Sequence, residues 1–192
     1  MKRLILALAL AGLSLPAAAS TWQLDAERSS LYFISIKKNT IAETHHFDRL
    51  SGSYAKGEAQ LAIDLTSVET GIDIRDKRMR EMLFEVADFP KATVTMEIPE
   101  EKVAELAVGE NLTLDTTATL SLHGTEKSLD AILAVTRLNN GMVQVTNVRP
   151  VVIQAGDFAL ARGVEKLREV AGLPSVSPAV PADFTLYFQE KE

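Results

Sequence analysis

Three histidines, twenty-six carboxylates and no cysteine set the chemistry open to this chain of 192 residues. Without cysteine there are no disulfide frameworks, thiolate zinc sites, iron–sulfur clusters or thiol nucleophiles. His45 and His46 fall in a segment with strand character. Consecutive strand side chains point to opposite faces, so the two cannot hold one metal ion there. No pair of histidines has the spacing of a helical metal site, and no Gly-x-Ser-x-Gly elbow or phosphate loop is present. A catalytic site would have to gather His123 with Ser or Asp neighbours in a polar pocket, a geometry no motif supplies. Asp157, Asp183 and Glu165 are the carboxylates to consider for glycoside chemistry, but solvated or capping roles account for them more simply. The eleven aromatic residues are spread out and form no stacking platform for sugars or bases. The densest charge cluster is Arg75-Asp76-Lys77-Arg78-Met79-Arg80-Glu81. It reads as an anion-binding rim, or as the solvated face of a helix with one buried Arg–Asp pair locking it to the fold. Exposed helical charges do little, which favours the second.

The first residues have the pattern of an export leader. Lys2 and Arg3 precede an apolar run at residues 4–15. Pro16 follows, then Ala17-Ala18-Ala19, which fits a small-residue cleavage site. Twelve apolar residues fall short of the roughly 20 that span a bilayer, so no membrane-spanning segment is expected. No cysteine stands at the cut to carry a lipid. The reading is a leader at 1–19 and a single domain at 20–192. Losing Lys2 and Arg3 takes the formal charge from −6 to −8. A surface that acidic repels phosphate backbones, so no nucleic-acid partner is expected.

The rest of the chain must be built mainly of strands. Ala59, Leu61, Ile63 and Leu65 alternate with Gln60, Ala62, Asp64 and Thr66. Leu112 through Leu122 and Phe184 through Phe188 repeat the pattern. Further strands are expected at Ser30–Lys37, 44–54, 93–98, 129–137 and 142–149, about eight in all. Asn139-Asn140-Gly141 and His123-Gly124 have the chemistry of tight turns. Two helices are expected. The first, at 72–83, has Ile72, Met79, Met82, Leu83 and Val86 inward. The second, at 164–171, has Val164, Leu167, Val170 and Ala171 inward and stops at Gly172 and Pro174. Residues 99–111 read as an open loop. No internal repeat is visible. Few long breaks separate the strands, which points to an antiparallel system rather than βαβ units.

Segments such as Leu31-Tyr32-Phe33-Ile34-Ser35-Ile36 are apolar on both faces, so both need cover. A closed barrel supplies one cover; a helix, a loop or a second copy in a homodimer supplies the other. A barrel of about eight strands either fills itself or holds one small ligand. Thr116 and Ala118, midway along their strand, would leave room inside, with Met79, Met82 and Met96 as adaptable walls. Alternatively Phe33, Phe84, Phe158 and Phe184 fill that room. Spacing alone leaves both open.

The stretch 67–76 (Ser-Val-Glu-Thr-Gly-Ile-Asp-Ile-Arg-Asp), followed by Met79-Arg80, Leu83-Phe84 and Asp88-Phe89-Pro90-Lys91-Ala92-Thr93, resembles the YceI family. Trp22, Leu24-Asp25 and Gly52 resemble its opening strands, and Leu120-x-Leu-His-Gly124-x-x-Lys127 its hairpin. Residues 171–181 resemble the tail of one branch of the family. The chain departs from the family pattern at Ser29-Ser30, where many members have a histidine, at Leu83-Phe84 and at Thr125. The resemblance implies an all-β fold, an antiparallel eight-stranded lipocalin-like barrel with one or two short covering helices. It also implies a periplasmic location and binding without catalysis. The implied partner is a long-chain apolar lipid: a polyisoprenoid, an isoprenoid quinone or a fatty-acid amide. No cofactor is implied beyond such a bound isoprenoid or acyl lipid. On that basis the walls of the binding site are expected to include Phe33, Ile63, Leu65, Leu83 and Phe84. Met96, Leu120, Phe158, Phe184 and Leu186 complete the set, and Arg75 and Asp76 take a structural role. The competing readings are a stress-response or interaction module with a solid barrel, and an enzyme acting on a lipid-linked substrate.

Overall fold

Alternating apolar residues become strands over most of the chain, and their inward faces enclose one core. The structure, a computed structural model, describes residues 21–138 and 141–191. The expected leader and Asn139-Asn140 lie outside the described residues. Twelve strands form one sheet. They are β1 (Thr21–Leu24), β2 (Ser30–Lys37), β3 (Ile41–Phe47), β4 (Leu50–Ala55), β5 (Glu58–Asp64) and β6 (Val68–Glu69), then β7 (Lys91–Glu97), β8 (Asn111–Leu122), β9 (Thr125–Leu138), β10 (Met142–Asn147), β11 (Val151–Gln154) and β12 (Ala179–Lys191).

Eight of these close a ring in the order β1, β4, β5, β7, β8, β9, β10, β12. Antiparallel pairing of β12 with β1, from Thr21 opposite Lys191 to Leu24 opposite Phe188, completes it. Closure removes both sheet edges. The other four strands continue ring strands past a local break. β2 follows β1 along β12, β3 precedes β4, β6 extends the line of β5, and β11 extends β10 along the same β12. The eight expected strands are therefore these composite ones. The expected strand at 44–54, for example, is interrupted at Asp48-Arg49. There the 3₁₀ turn Leu65–Ser67 intrudes. Asp48 N–H donates to the Ser67 carbonyl at 3.1 Å and Arg49 N–H to Ser67 Oγ at 3.0 Å. The β8–β9 turn uses positive φ at His123 (51°) and Gly124 (73°), the twist that suits a two-residue hairpin.

Three short helices close the ends. At the upper end α1 (Asp73–Arg78) runs into a wider turn at Met79–Leu83, where Phe84 N–H donates to the Met79 carbonyl five residues back. Beside it lies α3 (Ala161–Val170). At the lower end is α2 (Glu100–Ala104). Residues 99–111 are thus not an open loop: Val103 and Leu106 are buried there and stopper the barrel. Ile72, expected inward, is 47% exposed, because the helix begins only after it. Val170 and Ala171 also face solvent. The chain leaves α3 at Gly172, with φ of 62°, and Leu160, Val164 and Leu167 make the core contact instead.

α3 touches the wide turn at Gly163. A Cβ there would lie 2.8 Å from the Leu83 Cα and from the Met82 carbonyl oxygen, both backbone atoms that cannot swing away. Gly163→Ala is therefore expected to lower unfolding free energy by about 1–3 kcal/mol. Gly156→Ala, with open space around its Cβ, should stay within about 0.5 kcal/mol of the parent in urea titrations. Equal effects at the two positions would show that α3 and the turn are not in contact.

Candidate functional site

Strand side chains alternate, so the ring sends every second residue inside, and nearly all of these are apolar. They do not fill the interior. A hollow of about 250 Å³ remains, running between the two stoppered ends. Trp22, Tyr54, Ile98 and Val103 bound it below; Phe47, Phe84, Leu160 and Val164 bound it above. The room comes from small residues. Ala59, Ala92, Ala118, Ala131, Ala155 and Ala182 all face it. The Tyr54 hydroxyl donates to the Ile98 carbonyl at 3.0 Å, so no donor is left bare on the wall at that point. Burial, then the nearby Glu100 and Glu101, push the Tyr54 hydroxyl above its ordinary pKa. An apolar cavity of about 150 Å³ can stay dry and admit a small hydrocarbon, and this one is larger.

Nine of the ten expected wall residues line the hollow: Phe33, Ile63, Leu65, Leu83, Phe84, Met96, Leu120, Phe184 and Leu186. Phe158 does not. It sits in the 3₁₀ turn Ala155–Phe158, where Ala155 faces the hollow and the Phe158 ring is 0% exposed in packed core. Thr116 keeps the inward register of β8, opposite Ala131, but is not on the wall of the hollow; it borders an open groove between β7 and β8 with Thr95, Glu97, Asp115 and Asp130. That groove follows the divergence of β7 from β8, which pair only from Thr93 opposite Ser121 to Thr95 opposite Thr119. Sequence reasoning missed Phe47, Val94, Ala131, Leu133 and Val143 on the wall. Each stands at the inward register of its strand, so the alternation was sufficient to find them.

At the upper end the inner faces of β2 and β3 change from apolar to polar. Phe33 and Phe47 touch the hollow, with ring centroids 5.3 Å apart. Next along β3 comes His45, 2% exposed, its ring 5.2 Å from Phe33 and its Nε2 2.8 Å from Ser35 Oγ. Beyond it Glu43 accepts from both Lys37 Nζ and Arg75 Nη1 at 2.8 Å. Those two partners, Lys37 first, hold the Glu43 carboxyl below its ordinary pKa despite partial burial. Arg75 also donates to Thr70 Oγ1 and to the Thr70 carbonyl, and the Thr70 hydroxyl donates to buried Asp76. The Arg–Asp lock anticipated from sequence is thus relayed through Thr70, and Arg75 has Glu43 on β3 as its direct ionic partner. Thr70, committed to this network, does not cap α1, which has no side-chain cap.

The three histidines are far apart in role. His46 pairs with Asp48 at 3.1 Å on the outside, and His123 with Glu85 at 3.3 Å beside Phe89. The Ser35–His45 contact has the form of a nucleophile and base, but the second ring nitrogen has no carboxylate behind it. Asp157 and Asp183 are exposed, and Glu165 is bound to Arg168 of its own helix. Among the described residues no group of three His, Asp or Glu could hold a metal ion, and no helix is long and apolar enough to cross a membrane.

A closed antiparallel barrel of eight strands, hollow, apolar inside and capped by helices, defines a lipocalin-like architecture. The YceI-like domain model matches residues 22–188, and the chain belongs to that family. A polyisoprenoid-binding domain from Saccharophagus degradans, implicated in plant cell wall breakdown, is 47% identical. It superposes with a TM-score of 0.87 over 88% of this chain and 98% of its own. BcnA of Burkholderia cenocepacia, at 19% identity, shares the fold with a TM-score of 0.66 over 85% of this chain and 98% of its own. The YceI protein of Campylobacter jejuni, at 16% identity, does so at 0.56 over 77% and 85%. No curated protein matches the chain.

Desolvation, and then the charge of Arg75, lower the His45 pKa, with Lys37 acting in the same direction and Glu43 and Asp76 opposing. A histidine held neutral by folding contributes stability above its unfolded pKa of about 6.5. That contribution is lost as pH falls through this value, because the unfolded chain takes up the proton first. The urea midpoint should therefore drop between pH 7.5 and 5.5, and His45→Gln should flatten the drop. An equal slope in both proteins would rule His45 out as its source.

Proposed function

We propose that the protein encloses a single long-chain apolar lipid in its barrel and carries or sequesters it in the periplasm. The hollow is the observation that carries this reading. An empty cavity of about 250 Å³ forfeits on the order of 6 kcal/mol of packing. That is comparable with the whole stability of an ordinary domain, about 5–15 kcal/mol. A guest recovers it. Burial gains about 0.8 kcal/mol per methylene, so ten carbons bring roughly 8 kcal/mol and twenty roughly 16. Association costs about 4–15 kcal/mol, so only long chains bind well. The polyisoprenoid binding of the Saccharophagus degradans domain supports an isoprenoid in particular. Lys2-Arg3, the apolar run at 4–15 and Ala17-Ala18-Ala19 support export with cleavage after Ala19. A binding role needs no catalytic group, which suits an interior of hydrocarbon.

The solid-barrel alternative makes the opposite prediction for one substitution. Ala118 faces the middle of the hollow. If there is room, Ala118→Phe fills it, raises stability by about 1 kcal/mol and weakens uptake of an apolar fluorescent probe at least tenfold. If the interior is packed, the same change costs about 1–3 kcal/mol. Calorimetry and probe titration read the two outcomes separately. Native mass spectrometry of protein recovered from its own periplasm should show one bound lipid per chain and a mature N-terminus at Ser20. Repeated recovery without lipid, together with no uptake of an added quinone, would refute the carrier.

A further inference from the structure

His45 is the one group on the inner face of β3 whose chemistry the barrel leaves unfinished. Its Nε2 is committed to Ser35, while Nδ1 is buried with no partner in the protein. Buried polar atoms without partners are uncommon and call for a specific reason. The position supplies one. Along β3 the inward residues run Phe47, His45, Glu43, from the hollow towards the upper mouth. A lipid lying on this face, its tail against Phe47 and Phe33, would bring its head to His45.

We infer that His45 anchors the polar terminus of the bound lipid through Nδ1, and that this terminus is uncharged: a hydroxyl, a carbonyl or an amide. The inference rests on the carrier reading above and adds the direction of the chain and the class of its head. The charge pattern excludes an anionic head. Lys37 and Arg75, the nearest cations, are both engaged by Glu43, and buried Asp76 is tied to Arg75 through Thr70. Two cations face two carboxylates, leaving no net field for a phosphate. Burial keeps the imidazole neutral, so the ring offers one hydrogen bond and no charge. Phe33, in contact with both the ring and the hollow, is the side chain that must turn to let a head reach Nδ1.

Three probes of equal chain length test this: geranylgeraniol, its hydrocarbon without the hydroxyl, and geranylgeranyl phosphate, each displacing an apolar fluorophore. The full-length mature protein should prefer the alcohol to the hydrocarbon by about tenfold, the value of one well-placed hydrogen bond to a buried group. The phosphate should gain nothing over the alcohol. In His45→Phe the alcohol-to-hydrocarbon ratio should fall to near one. On the unaltered protein, the ¹⁵N resonance of His45 Nδ1 should move on adding the alcohol and not the hydrocarbon. An unchanged ratio in the variant with a silent Nδ1 would overturn the anchor while leaving the carrier intact. So would phosphate binding at least tenfold tighter than alcohol. Failure of all three probes to bind would overturn the carrier reading, and the anchor with it.

Discussion

Closure of β12 onto β1 is the constraint from which the rest of the molecule follows. An open sheet of these strands could turn its apolar face onto a helix layer. A closed ring cannot, and half of every strand is committed to an interior that water does not share. What that interior becomes depends on side-chain volume. Alanines at 59, 92, 118, 131, 155 and 182 stand where leucine or valine would have filled the space. Hydrocarbon walls with missing volume are costly to keep empty, a cost that a guest would recover.

Both ends must be shut for such a hollow to stay dry, and each is shut differently. Below, Val103 enters from α2 and Leu106 from the chain just after it, and the Arg137 guanidinium lies over Trp22 at 5.3 Å. Above, the wide turn at Met79–Leu83 brings Leu83 and Phe84 together over the barrel, and α3 is pressed against that turn at Gly163. The polar network of Glu43, Arg75, Thr70 and Asp76 pins this upper cover to β3 and β6. The most charged stretch of the chain thus serves mainly to hold a lid.

Much of this was legible in the residues. Alternation located the eight composite strands, and Phe33, Ile63 and Leu186 were placed on the wall because strand register alone determines which side they face. Register is short-range information, fixed by a period of two. What escaped was long-range. Whether Phe158 lines or backs the hollow depends on a 3₁₀ turn that periodicity does not reveal. The stopper formed by Val103 and Leu106 interrupts a polar stretch too briefly to show a pattern. Ile72 and Val170 were assigned inward by helical spacing, but Ile72 precedes the first residue of α1 and Val170 is the last of α3. The partner of Arg75 is Glu43, thirty-two residues away, and no local pairing rule connects them.

The most direct test is the electron density inside the barrel, from crystals of protein purified from its own compartment without added lipid or detergent. The expected result is one continuous tube of density between Val103 and Phe33, with the alanine-lined walls held apart around it. Phe33, Phe47 and Phe84 turned inward, meeting in a closed core with no room between them, would contradict the hollow on which every functional statement here depends.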